Sequence, residues 1–268
     1  MQEFYDWFFR QEGRTPEGLF SWQHILSVTV GLLIFALAAI IFAHFFKGKA
    51  KRENAYIGVM ALLIIGTQVA KYAWLFYESK PEDYLGTFWG NFPLYLCDMQ
   101  LYMIPICFFA RGRAKEICCD FIAIWGILMG VFGTYFAGNI YPGNCVISFF
   151  ALNSLVNHAI SLSAGLFIFL CGMNTMKREN IGIVIGILVA FMTVALVIDY
   201  VDNHNFMFFF RGDGTPFDFF KDLVKGNLFL YQAEIYVLQC GYMGLFYAVY
   251  YAIAGAVRQH KARLVESH

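Results

Sequence analysis

The sequence predicts an all-α fold, a polytopic integral membrane bundle of seven transmembrane helices with the N-terminus outside and the C-terminus cytoplasmic. Three observations carry that expectation. Of 268 residues, 59% are hydrophobic and 14% charged, whereas soluble domains run at roughly 45–50% and 25%; mean hydropathy is +0.57. Seven segments reach the length of about 20 mostly apolar residues that a bilayer crossing needs. Lys and Arg are shared unevenly among the connections, which sets the direction of the chain.

Taken in order, residues 1–24 begin MQEFYDWFFRQEG, without the basic start of a signal peptide. Phe4, Tyr5, Trp7 and Phe8 predict a short helix lying at the membrane surface. The expected spans are 25–46, 54–77, 92–110, 117–137, 147–171, 181–201 and 229–256, followed by a tail, 257–268. The breaks KGKAKREN, ESKPEDYLGTFWG, RGRAKE, GNIYPGNC and MKREN carry Gly, Pro, Asn or charge. The sixth connection, DNHNFMFFFRGDGTPFDFFKDLVKGN, is too aromatic for a free linker and is expected to lie on the membrane surface or dip into it. The connections after spans one, three and five and the C-terminal tail hold 4, 3, 2 and 3 Lys or Arg; the N-terminus and the remaining connections hold 2, 1, 0 and 3. The richer set belongs in the cytoplasm.

Net charge is zero, so no basic field exists for nucleic acid. The seven cysteines include a vicinal pair, Cys118-Cys119, but no C-x-x-C, and no H-x-x-x-H occurs. No metal site and no cofactor are expected. Cys107, Cys118, Cys119, Cys171 and Cys240 read as small apolar fillers.

Ionisable and amide groups inside spans are costly and normally face a bundle interior. Gln68 and Lys71 fall near the outer end of span two, Cys97 and Asp98 in the outer part of span three, and Asp199 near the outer end of span six. Gln232 and Glu234 lie in the outer part of span seven, and His158 close to the middle of span five. Asp120 alone sits on the cytoplasmic side. One shared cavity, open toward the outer leaflet, accounts for this bias. Ser154, His158 and Ser161 form a stripe at i, i+4, i+7, with Asn153 and Asn157 beside it. On a continuous helix Cys97 and Gln100 share a face while Asp98 points about 100° away, so Asp98 is expected to pair with Lys71.

A thiol beside an imidazole is the minimal equipment for covalent acyl transfer, because the imidazole takes the thiol proton or stabilises the thiolate. His158 is the one histidine deep in a span; His24 and His44 lie near span ends and His204 in a loop. From spacing alone, His158 as a packing hydrogen-bond donor and His158 as a base both stay open.

Four stretches narrow the field. FSWQH leads into span one and contains His24; NFPLYLCD begins span three; LVNHAI surrounds His158; and HNFMFFF, with Asn205, precedes GTPFDFF in the sixth connection. In this order the chain resembles the YwaF family of bacterial integral membrane proteins, which is similar to the transmembrane protein 164 family of cysteine-centred lipid acyltransferases. The resemblance implies Cys97 as nucleophile, His158 as its base, and a multi-pass location in a bacterial plasma membrane. It departs at Tyr95, where the family pattern P-L-H-L-C has histidine, and at Phe206, where tyrosine is usual. Tyrosine, with a pKa of about 10, does not act as a base near neutral pH.

The expected function is transfer or hydrolysis of fatty acyl groups on phospholipids, with a lipid or lysolipid substrate and the membrane as partners. His24, Lys71, Tyr95, Asp98, Gln100, Asn153, Asn157, Asp199, Asn205 and Glu234 are the candidate binding residues, and Gln100, Asn153 or Asn157 the candidate oxyanion donors. Two other classes remain: a transporter or receptor for a small amphiphile using the same cavity for binding only, and an assembly protein whose polar groups join helices. Span seven has no lysine, which excludes a retinal Schiff base there. Oligomeric state is not encoded in any motif.

Overall fold

The computed structural model describes residues 1–266, with side chains to Gln259; residues 267 and 268, the end of the expected tail, lie outside the described residues. Regular structure among the described residues is helical. α1 (Gln2–Tyr5) runs into a π-helical turn, Asp6–Arg10. Then follow α2 (Trp22–Phe46), α3 (Ala50–Glu78), α4 (Tyr84–Gly90), α5 (Met99–Phe109), α6 (Gly112–Tyr135), α7 (Phe149–Cys171), α8 (Arg178–Asp202), α9 (Phe217–Leu223) and α10 (Leu228–Glu266). Six of these, α2, α3, α6, α7, α8 and α10, are long and apolar enough to cross a membrane. Their outer faces expose side chains such as Leu26, Leu33, Leu37, Val194 and Val197, as a lipid-facing surface requires. The chain is a multi-pass membrane protein.

The segment expected as a span at 92–110 is helical only from Met99. Its 11 residues, at about 1.5 Å each, reach roughly half of the ~30 Å hydrocarbon layer. Pro93 disfavours helix at Phe92, and the chain turns there, with the Leu94 N–H donating to the Phe92 carbonyl at 2.8 Å. Asp98 then closes the first turn: its Oδ2 accepts from the Tyr95 N–H at 3.1 Å, while its own N–H donates to the Tyr95 carbonyl at 2.9 Å. The two bonds close a turn just before α5 and leave a carboxylate at the favourable end of the helix dipole.

α6 and α7 form the centre. In each, 67% of the most apolar stretch is buried, against 11–22% in the other four long helices. They approach closely because α6 carries Gly126, Gly130 and Gly133 along one face. A Cβ on Gly126 would meet the Ser161 carbonyl, one on Gly130 would meet Leu162, and one on Gly133 would meet the His158 ring. Such small-residue faces let membrane helices pack backbone to backbone. α7 also packs on α2 and α3, and α5 lies between α3 and α6, so α3, α5, α6 and α7 close a ring. α8 and α10 lie against α6 outside it.

Loops are fastened to both ends. At the N-terminal end of α7, the expected surface helix docks on the bundle: Tyr5 donates to Glu78, Arg10 Nε pairs with Glu78 Oε2 at 3.1 Å, and Phe9 stacks on Phe149 at 4.9 Å. The α8–α9 connection dips inward, burying Phe206, Met207 and Phe209. Asn205 holds its shape, donating to the Arg211 carbonyl at 2.8 Å and accepting from the Phe210 N–H at 2.9 Å. At the opposite end, buried Asp120 of α6 receives the Thr175 and Met176 N–H groups at 2.7 and 2.9 Å and the Thr175 hydroxyl at 3.2 Å.

Asp120→Ala therefore strands buried donors, and we expect it to destabilise the bundle by about 3 kcal/mol. Thermal unfolding in detergent, compared with wild type and Asp120→Asn, measures this; an unchanged transition would remove Asp120 as the α7–α8 clamp.

Candidate active site

Helices of the ring α3, α5, α6 and α7, or the turn that leads into α5, carry Lys71, Cys97, Asp98, Gln100, Asn153, Asn157 and His158, which the sequence distributes over three segments. Cys97 is half-buried. It precedes α5 in a turn, so the helical-wheel separation of Cys97 from Asp98 does not apply, and Cys97 Sγ lies 3.9 Å from Asp98 Oδ1. The expected Lys71–Asp98 ion pair is not formed. Among the described residues Lys71 has no carboxylate within 4.0 Å, since the four ion pairs present all lie elsewhere. Its Nζ stands 6.0 Å from the centre of the Phe150 ring. Asp98 is held by backbone instead, because a turn amide solvates its carboxylate without requiring a second helix to deliver a cation.

His158 is 4% exposed. Its Nδ1 lies 2.8 Å from the Ser154 carbonyl. A carbonyl only accepts, so Nδ1 carries the proton and Nε2 keeps its lone pair. Nε2 faces the bare backbone of Gly133 on α6. On the same helix, two turns away, Gly126 borders the Gln100 amide, whose Nε2 would be 3.6 Å from a Cβ built there. Cys97 lies one turn before Gln100, tied to α6 through the Trp125 Nε1–H, which donates to the Leu96 carbonyl at 2.9 Å. The Cys97 turn and His158 thus reach α6 about two turns apart, the first beside Trp125 and the second at Gly133.

Several buried polar atoms around them have no partner: both ends of the Gln100 amide, Asn157 Oδ1 and Gln68 Nε2. Buried amides are nearly always satisfied in folded proteins; here these atoms meet no protein partner. Beside it, a crevice of about 560 Å³ is lined by Ile65, Val69, Tyr72, Phe76, Phe88 and Leu101, and includes Gln68.

Most of the remaining candidates have structural partners. Asn153 Nδ2 donates to the Thr67 carbonyl at 2.9 Å, joining α7 to α3. His24 is fully buried; Nδ1 accepts from the Phe20 N–H at 3.1 Å and Nε2 donates to the Thr134 carbonyl at 3.2 Å. Its ring rests 4.1 Å from that of Tyr141, whose phenol burial pushes up to about 12, keeping it neutral there. Tyr95 packs on Phe206 and Phe208, at 5.6 and 6.1 Å between ring centres, so it is roofed by the α8–α9 connection. Asp199 Oδ1 accepts from the Phe206 N–H at 2.9 Å; its Oδ2 and Glu234 Oε2 are unpaired, on the α8 and α10 side, outside the ring. Among the described residues no three His, Cys, Asp or Glu are arranged to hold a metal ion.

Gly126, Gly130, Gly133 and Trp125 were not singled out by the residue reading, although the i, i+4, i+7 glycine spacing in GILMGVFG carries the signal for a close helix contact.

The sequence matches the family model described as the TMEM164 family over residues 19–254, nearly the whole chain. No curated protein and no solved structure matches.

Gly133→Ala drives a methyl group into the His158 ring. We expect a loss of about 1–3 kcal/mol in thermal unfolding, whereas Gly66→Ala, which would meet nothing within 4 Å, leaves the transition in place or raises it slightly. Equal behaviour of the two variants would show that His158 does not pack on α6.

Proposed function

The chain belongs to the TMEM164 family, and from that premise we propose that it is a membrane-embedded acyltransferase of the YwaF-like bacterial kind. In this reading it transfers, or with water hydrolyses, fatty acyl groups on phospholipids of the plasma membrane. The observation that carries it is the His158 tautomer: a buried imidazole whose Nδ1–H is committed to Ser154 offers Nε2 as a base, in the same helix ring as a free thiol.

The mechanism follows from these groups. His158 Nε2 takes the Cys97 proton, and the thiolate attacks the acyl ester carbonyl. Gln100 Nε2, buried and unpaired, donates to the oxyanion; such a donor contributes roughly 3 kcal/mol to the transition state. The intermediate collapses to a Cys97 thioester as the lysolipid alkoxide leaves with the proton from His158. A second lysolipid hydroxyl, or water, gives its proton to His158 and attacks the thioester, which restores the thiol. Lys71, without a carboxylate partner, holds the phosphate, and the 560 Å³ crevice holds the acyl chain. In this reading the N-terminus is outside, as the Lys and Arg distribution predicts, and the chemistry faces the outer leaflet.

The test uses the full chain in nanodiscs with a phospholipid carrying a labelled acyl chain and an unlabelled lysophospholipid. Mass spectrometry is expected to find labelled product and a labelled acyl adduct on Cys97. His158→Ala should slow transfer by roughly 10²–10⁴-fold, Gln100→Leu by roughly 10²–10³-fold, and Cys97→Ala should abolish both product and adduct. Full transfer by Cys97→Ala would end the acyltransferase reading; specific lipid binding without turnover in wild type would favour the transporter or receptor.

A further inference from the structure

A separate crevice of about 440 Å³ opens between α2 and α3. Ile34, Ala38 and Phe42 line it at one residue per turn of α2, and Ala55, Val59 and Leu63 at one per turn of α3. Its buried polar members are already paired: Tyr56 and Ser163 share a hydrogen bond of 2.6 Å between hydroxyls, and Ser163 donates to the Phe35 carbonyl at 3.0 Å. Nothing polar is left to satisfy, so the crevice offers hydrocarbon to hydrocarbon.

One end of the crevice is different in kind. Phe46 and Ala55, which both line it, flank the turn KGKAKREN, where Lys47, Lys49, Lys51 and Arg52 meet one carboxylate, Glu53. Glu53 Oε1 is engaged by the Gly48 N–H at 2.7 Å, and Lys49 Nζ donates to the Phe45 carbonyl at 2.9 Å. The side chains of Lys47, Lys51 and Arg52 make no hydrogen bond or ion pair among the described residues. A chain-shaped apolar slot that ends at three uncompensated cations is complementary to a lipid whose headgroup is negative.

We propose that this crevice is a binding site for an acidic phospholipid, with one acyl chain between α2 and α3 and the phosphate at the 47–52 turn. The site is distinct from the Cys97 ring and does not depend on the acyl-transfer reading. The separation of α2 from α3, which Ala38 and Ala55 permit, is then filled by the ligand.

Native mass spectrometry of the full chain in detergent tests this, with dioleoyl phosphatidylglycerol and dioleoyl phosphatidylcholine added at equal concentration. Wild type is expected to retain the acidic lipid preferentially. Each cation near a lipid surface is worth roughly fivefold in affinity, so the triple variant Lys47→Gln, Lys51→Gln, Arg52→Gln should bring the two lipids to within about twofold. Ala38→Phe and, on the facing wall, Ala55→Leu should each weaken binding of both lipids by roughly tenfold by filling the slot; two fillers guard against local misfolding of one. Glycerol phosphate, which has the headgroup chemistry without chains, should not bind. No preference in wild type, an undiminished preference in the triple variant, wild-type binding in both fillers, or glycerol phosphate binding as well as the lipid would each overturn the proposal.

Discussion

The contact of α6 with α7 through bare backbone is the constraint from which the site follows. Three glycines on one face of α6 bring the two helices within reach of each other's main chain, and in hydrocarbon, where water is absent, dispersion at short range replaces hydrophobic collapse as the force that joins helices. That contact turns His158 onto α6 and leaves its Nδ1 to the Ser154 carbonyl. It also gives α5 a fixed wall, so that a helix of 11 residues holds the Cys97 turn in place.

Buried polar groups divide into two kinds by what satisfies them. Asp98, Asp120, His24, Asn153 and Asn205 are bonded mainly to backbone amides and carbonyls at turns or between helices. Each removes an unpaired main-chain group from a place where water cannot reach, which is why these residues repay their own burial. Gln68, Gln100 and Asn157 keep unpaired atoms inside the ring. An unsatisfied amide is destabilising, so the second kind adds nothing to the fold's stability.

Hydropathy made most of the helical architecture legible. The expected span at 25–46 is α2, that at 147–171 is α7, and that at 181–201 is α8, each within three residues at either end, because a stretch of apolar residues excludes any conformation that leaves backbone unpaired in lipid. The segment at 92–110 was composed like its neighbours, yet Pro93 and the Asp98 turn delay its helix to Met99. Composition records how apolar a segment is; it does not record where a local hydrogen bond displaces the helical one. For the same reason a wheel drawn through Cys97 and Asp98 separated two side chains that a turn brings to 3.9 Å.

The sequence by itself determined that the chain is a helical membrane protein and that a thiol and an imidazole are available on different segments. Those properties reside in residue type and spacing, which act locally. Only the tertiary structure decided which partner each polar group takes: backbone for Asp98 in place of Lys71, Thr67 for Asn153, and no partner for Gln100. Such choices depend on which helices approach closest, and that distance is set by the glycine face of α6 against α7, a contact between segments that no single stretch of sequence contains.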